Sequence, residues 1–154
     1  MNADQKLREL NQELPPPAKP AGVYNPIVIL NNMAYVSGHS PIRPDGSMMT
    51  GKIGSAADQQ AGYDAARQTG LAMLATLQDS LGSLDRVERL VKTLGLVNAT
   101  PDFEQHPDVL NGFSELMAQV FGQDRGIGAR SAVGAASLPF NITVEIEAIF
   151  QIKS

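Results

Sequence analysis

The 154 residues are enough for one domain with a core of its own and few for two. With 43% hydrophobic and 18% charged residues the chain has the composition of a folded protein, and its net charge of −4 supplies no basic field for a phosphate backbone, which argues against a nuclease. Cysteine is absent, so disulfides, thiolate metal ligands and thiol nucleophiles are excluded together, and a reducing compartment is favoured.

The N-terminus is charged and lacks an apolar core of the signal-peptide kind, and no later window approaches about eighteen unbroken apolar residues, so a cytoplasmic protein without a membrane span is expected. Residues 4–14 place Leu7, Leu10 and Leu14 at helical steps, the pattern of a short amphipathic helix that Pro15, Pro16 and Pro17 terminate. Through Pro20 and Gly22 the chain reads as an extended connector. Residues 1–21 are therefore expected to be an N-terminal helix with a proline-rich connector, and residues 22–154 a single globular unit.

Residues 27–30 and 33–38 flank Asn31 and Asn32, and asparagine tolerates the positive φ of a tight turn, which predicts a β-hairpin. Pro41, Pro44, Asp45 and Gly46 mark a turn; residues 47–54 read as a short irregular strand, and Ser55–Asp58 as a capping box that starts a helix. From Gln59 to Leu81, Ala66, Gly70, Met73, Leu74, Leu77 and Leu81 recur at helical spacing, with Gly82 at the expected stop. Residues 86–97 alternate imperfectly and suit a strand partly covered on both faces. Val109, Leu110, Phe113, Leu116, Met117, Val120 and Phe121 define a second long helix, which Pro107 helps to initiate.

After the loop at 122–128 come two predicted strands, Arg130–Leu138 and Ile142–Ile152. In the second, Ile142, Val144, Ile146, Ala148, Phe150 and Ile152 point one way and Thr143, Glu145, Glu147, Ile149, Gln151 and Lys153 the other, one core face and one polar face. The element order predicts an α+β layer, a mixed sheet with both long helices on its apolar face.

Several weaker signals are set aside. His39 and His106, the two histidines, have no ligand cluster around them, so neither a metal site nor a histidine-based triad is expected, and His39 reads as a pocket-rim or loop residue. GKIGS at 51–55 and GQDRGIG at 122–128 lack the spacing or the following helix of a phosphate cradle. Arg86, Arg89 and Lys92 form a solvated strand face interrupted by Glu88. What remains is Arg130, Glu145 and Glu147 in otherwise small and apolar surroundings, where charges must be paired or useful.

Residues 129–149 follow the pattern A-R-S-x-V-x-x-A-x-L-P-x-x-x-x-V-E-I-E-A-I, joined by Y-x-P at Tyr24–Pro26, S-G at Ser37–Gly38, V-K-T at 91–93 and L-N-G-F at 110–113. With these motifs, spanning about Gly22 to Ile152, the chain resembles the YjgF/RidA family, the reactive intermediate deaminases also known as L-PSP endoribonucleases. The extended N-terminus with LPPP, the GKIG segment and PDF at 101–103 resemble a longer branch of it.

The resemblance implies a chorismate-mutase-like fold assembled as a homotrimer, with active-site clefts between subunits, a small carboxylate-bearing imino or keto acid as partner, and no cofactor or metal. It implies that Arg130 binds the substrate carboxylate, for which a planar guanidinium suits two parallel hydrogen bonds. It implies that Glu145 positions and activates the attacking water, that Tyr24 closes the cleft, that Asn111 lines it, and that Ser37 and Gly38 leave room beneath the ligand. Where founding members commonly carry cysteine, this chain has Ala132; the family uses the backbone carbonyl there to hold water, and alanine removes only thiol chemistry.

Each residue has a blander reading. Arg130 as an ion pair with Glu145 or Glu147, Glu145 as a solvated residue or a partner of Lys92, Tyr24 as packing and Asn111 as an exposed helix residue all stand beside the functional ones. Three functions follow. The first is hydrolysis of a 2-imino acid to a 2-keto acid and ammonia. The second is a non-catalytic carboxylate-binding trimer, and the third is an endoribonuclease.

Overall fold

Asn31, at φ 55°, and Asn32 reverse the chain between β1 (Ile27–Leu30) and β2 (Met33–His39), as the sequence predicts. The computed structural model describes residues 1–154. Before the hairpin lies α1 (Ala3–Glu9); after it come α2 (Gln59–Leu81), β3 (Val87–Asn98), α3 (His106–Phe121), β4 (Ala129–Ala135) and β5 (Val144–Ile152). The five strands form one sheet in the order β1-β2-β5-β3-β4, antiparallel except for the parallel pair β3–β4. This is the α+β mixed sheet expected, with α2 and α3 packed on one face.

The core lies between that face and the helices. Val144, Ile146, Ala148 and Phe150 of β5 are buried together with Leu74 and Leu77 of α2 and Leu110, Phe113 and Leu116 of α3. The two helices approach closely because glycines remove the side chains between them. A Cβ at Gly112 would stand 2.1 Å from the Tyr63 carbonyl oxygen and one at Gly70 2.7 Å from Leu116 Cδ2. The first clash is with backbone, which cannot rotate away. Overpacking of this kind costs about 1–3 kcal/mol, and a chain of this size loses about 2–4 °C per kcal/mol. Gly112→Ala is therefore expected to lower the melting temperature by roughly 5 °C or more, measured by circular dichroism; an unchanged midpoint would mean that the helices separate freely.

Several boundaries differ from the sequence-based expectation. The first helix ends at Glu9 rather than Leu14, because Asn11 takes a left-handed conformation at φ 54°. Residues 47–54 make only isolated bridges, such as Thr50 with Ile142 and Ile53 with Ala99. The cap of α2 is Asp58 itself, whose carboxylate accepts from the Ala61 N–H at 2.8 Å, so no box starts at Ser55. Gly82 closes that helix at φ 83° as predicted. The last two strands are shorter than expected, Ala129–Ala135 and Val144–Ile152, because residues 136–143 turn between them through a kink at Phe140 and Asn141, both at positive φ.

The outer sheet face is mixed rather than polar. The registers place Val28, Tyr35, Ile149, Leu94, Leu96 and Val133 on it beside Glu145 and Glu147. Val28, Tyr35 and Val133 are exposed. Nor are the strand arginines merely solvated. Arg89 donates to the carbonyls of Asp124 and Ile127, and Arg86 to that of Lys153, tying a loop and the C-terminus to β3.

Candidate functional site

Ser37 and Gly38 sit at a break in the β2–β5 ladder. Val36 pairs with Ala148 and His39 with Ile146, so two residues of β2 stand against Glu147 alone. The bulge opens the sheet beside Glu145. A Cβ on Gly38 would lie 2.9 Å from Glu145 Oε2 and 3.1 Å from its Cγ, so the carboxylate occupies space that any side chain at 38 would take. Ser37 Oγ donates to the Asn25 carbonyl at 2.6 Å, which fixes the segment leading from Tyr24. Tyr24 turns back on the connector, its hydroxyl accepting from the Ala21 N–H at 3.1 Å.

These residues surround one cleft of about 720 Å³, with Tyr24, Ser37, Gly38, Glu145 and Glu147 on its walls. Glu145 is half-buried, and its carboxyl is raised above the ordinary value first by burial and then by the neighbouring Glu147 charge. A carboxyl so placed in a concave site makes Glu145 a candidate for proton transfer.

His39 lines the cleft, as expected of a rim residue, but it is the last residue of a strand and its ring is buried. The bulge turns it inward at the end of β2, where it is 3% exposed. Its Nδ1 lies 2.6 Å from the Ser37 carbonyl oxygen and its Nε2 2.8 Å from Thr76 Oγ1. A carbonyl only accepts, so Nδ1 carries the proton and the Thr76 hydroxyl donates to Nε2. The ring is thus held neutral, and burial lowers its pKa below the ordinary 6.5, partly opposed by the Ser37 bond. The unfolded chain takes up a proton near 6.5 that the folded chain refuses. The His39 contribution to stability is therefore complete above about pH 6.5 and is lost as pH falls through the lower folded-state value. Denaturation midpoints measured between about pH 7 and pH 5 should fall less steeply in His39→Gln than in the parent; equal slopes would assign the acid sensitivity elsewhere.

Arg130 and Asn111 lie apart from that cleft. They line a second, more polar groove of about 480 Å³ between α3 and β4, with Ser114 and Glu115. The Arg130 guanidinium donates to Ser114 Oγ at 3.0 Å and to the Pro107 carbonyl at 3.3 Å. Glu115 is engaged by the Tyr63 hydroxyl, which donates to it across the α2–α3 surface and whose pKa is raised chiefly by that bond. Ala132 packs against the core on the helix side of β4 and lies in neither cavity.

The registers decide the ion-pair readings. Arg130 pairs with Thr93, which pairs with Ala148, and both of these are buried toward the helices; Glu145 pairs with Leu96 on the other face. Within one chain Arg130 and Glu145 therefore stand on opposite faces of the sheet, and Glu147 shares the face of Glu145. Neither carboxylate pairs with Arg130 in the same chain. Lys92 lies opposite Ile149, four residues along β5 from Glu145, or about 13 Å at strand spacing.

Sequence reasoning missed Phe140. It lies on the same cleft as Glu145, is 73% exposed, and has φ 56°, followed by Asn141 at φ 58°. Left-handed conformations cost non-glycine residues about 1–2 kcal/mol, and such strain gathers at functional sites. The connector also went unassigned, although Pro16, Ala18 and Ala21 form one wall of the cleft. The only signal for Phe140 was a large aromatic between Pro139 and Asn141, in a stretch where the motif fixes no residue.

A mixed five-stranded sheet with both long helices on one face, carrying a carboxylate cleft at a bulge and an arginine groove at its edge, defines the class to which known proteins can be compared. The model of the Endoribonuclease L-PSP family matches residues 16–152, and the chain belongs to this family. It is similar to Protein TCP17 of Trypanosoma cruzi, at 39% identity over 148 residues that cover 96% of this chain and 92% of the relative. Among solved structures it resembles the protein Atu1372 of Agrobacterium tumefaciens, of unknown function, with a TM-score of 0.88 and 38% identity over 98% of this chain and 94% of that one. RidA from the Antarctic bacterium Psychrobacter sp. PAMC 21119 is similar at a TM-score of 0.63 and 26% identity, over 92% of this chain and 97% of that one. No helix is long and apolar enough to cross a membrane.

Proposed function

We propose that the chain hydrolyses reactive 2-imino acids to 2-keto acids and ammonia, at clefts where Glu145 of one copy meets Arg130 of the next in a homotrimer. The observation that carries this reading is the separation of Glu145 and Arg130 onto opposite faces of one sheet, each in its own cavity and neither paired with the other. Two half-sites of complementary charge on one chain suit completion by a second copy, and the apolar residues on the outer face suit burial between copies.

In the assembled cleft the Arg130 guanidinium holds the substrate carboxylate by two parallel hydrogen bonds. Asn111, beside Arg130 in the same groove, lines the arginine side, and Ser37 and Gly38 leave the imine carbon within reach of Glu145. Glu145 takes a proton from water as the water oxygen bonds to that carbon. That proton passes to the nitrogen; the hydroxyl of the addition product then gives up its own proton, which Glu145 relays to the nitrogen, and the carbon–nitrogen bond breaks as the carbonyl forms and ammonia leaves. A carboxyl raised by burial and by Glu147 takes up a proton more readily than a free one, which suits its part as the base. The net charge of −4 supplies no basic field for a phosphate backbone, which disfavours ribonuclease action.

The test generates 2-iminopropionate in situ and follows pyruvate formation above the spontaneous rate, which must be subtracted. An excess rate proportional to protein supports the enzyme. Pyruvate binding without any excess rate would leave a carboxylate-binding trimer in its place.

A further inference from the structure

The cleft around Glu145 is larger than a three-carbon acid needs. At about 720 Å³ it is within the roughly 300–1,000 Å³ that enclose drug-sized ligands. Half of its lining residues are hydrophobic, and Lys19, Ser37, His39, Ser40 and the two glutamates are polar. One wall is the connector, held to α2 through the Ala18 N–H, which donates to Thr76 Oγ1 at 3.4 Å. The cleft is also lined by Pro139 and Phe140 of the turn between β4 and β5.

That turn is fastened from three directions. The buried side chain of Asn98 donates to Asn141 Oδ1 at 3.0 Å and to the Ile142 carbonyl at 3.1 Å, and the Gly51 N–H donates to the Asn141 carbonyl at 2.9 Å. The clamp holds Phe140 in a strained conformation with its ring in solvent at the cleft, where an aromatic side chain meant for the core would not be placed.

We propose that the cleft takes a 2-imino or 2-keto acid bearing a bulky apolar side chain, aromatic by preference, which packs against the connector and Phe140 while its carboxylate is held by Arg130 of the next copy. The inference rests on the carboxylate-site reading above and deepens it. Ring-on-ring contact with Phe140 favours an aromatic over an aliphatic group of equal size. A shallow or polar cleft would favour neither.

Calorimetry with pyruvate and phenylpyruvate, stable product analogues that differ by one phenyl group, provides the test. The parent chain should bind phenylpyruvate roughly 10-fold or more tightly than pyruvate, as a filled apolar pocket allows. Phe140→Ala should reduce that ratio to about 3-fold or less, and Phe140→Tyr should restore it. Equal binding of the two acids by the parent overturns the side-chain inference alone. Binding of neither overturns the carboxylate site with it. Light scattering on Phe140→Ala completes the test: a smaller assembly than the parent's would make Phe140 an interface residue and overturn its role in selection.

Discussion

Glu145→Gln should keep 2-keto acid affinity within about threefold of the parent while imine hydrolysis falls roughly 10²-fold or more, the scale of general acid and base groups. Glutamine preserves the size of the side chain beneath Gly38 and removes its basicity. The geometry permits a sharper experiment. If each cleft uses Glu145 from one chain and Arg130 from the next, Glu145→Gln and Arg130→Ala chains are each inactive alone yet complement one another when unfolded and refolded together. Random mixing pairs an intact carboxylate with an intact guanidinium in one half times one half of the clefts, so about a quarter of parental activity should return. No recovery would place both functions within one chain or remove one of them from the reaction. A Glu145→Gln chain as active as the parent would shift attention to Glu147.

The second large effect is expected at Arg130. Arg130→Lys keeps the charge and loses the planar fork, so pyruvate affinity should drop about 10- to 100-fold by calorimetry. Stability should change little, because the side chain is only half-buried and its bonds go to Ser114 and the Pro107 carbonyl rather than to a buried carboxylate. Equal affinity in the two proteins would return Arg130 to a purely structural part, that of fastening β4 to the start of α3.

What the sequence made legible was local. The limits of α2 followed from periodicity and from Gly82, because a helix and its stop are written within a few residues of each other. The hairpin at Asn31 was equally plain. The opposition of Arg130 and Glu145 was not, since it depends on strand order and on two registers that cross β3. Alternation within β5 says which residues share a face of that strand and nothing about a residue on β4. The burial of His39 was illegible for a related reason. The strand was expected to end at Gly38, and strict alternation from Met33 would turn position 39 outward, but the bulge opposite Glu147 inserts a residue and turns the ring inward. A bulge belongs to the pairing with β5 and leaves no reliable mark in β2 alone. The outer face was misjudged because the apolar residues on it come from all five strands, with only Ile149 on the strand from which the face was inferred.

Asn98 gives the turn at Phe140 its shape. Its carboxamide oxygen accepts from Lys52 Nζ at 2.8 Å while its nitrogen holds Asn141 and Ile142, and Lys52 also reaches the Ala136 carbonyl at 2.7 Å. Three stretches far apart in the chain are thereby knotted at one amide. Grafting the 136–142 turn into another scaffold without Lys52 and Asn98 would leave its polar atoms unheld, so the graft would have to carry all three stretches together.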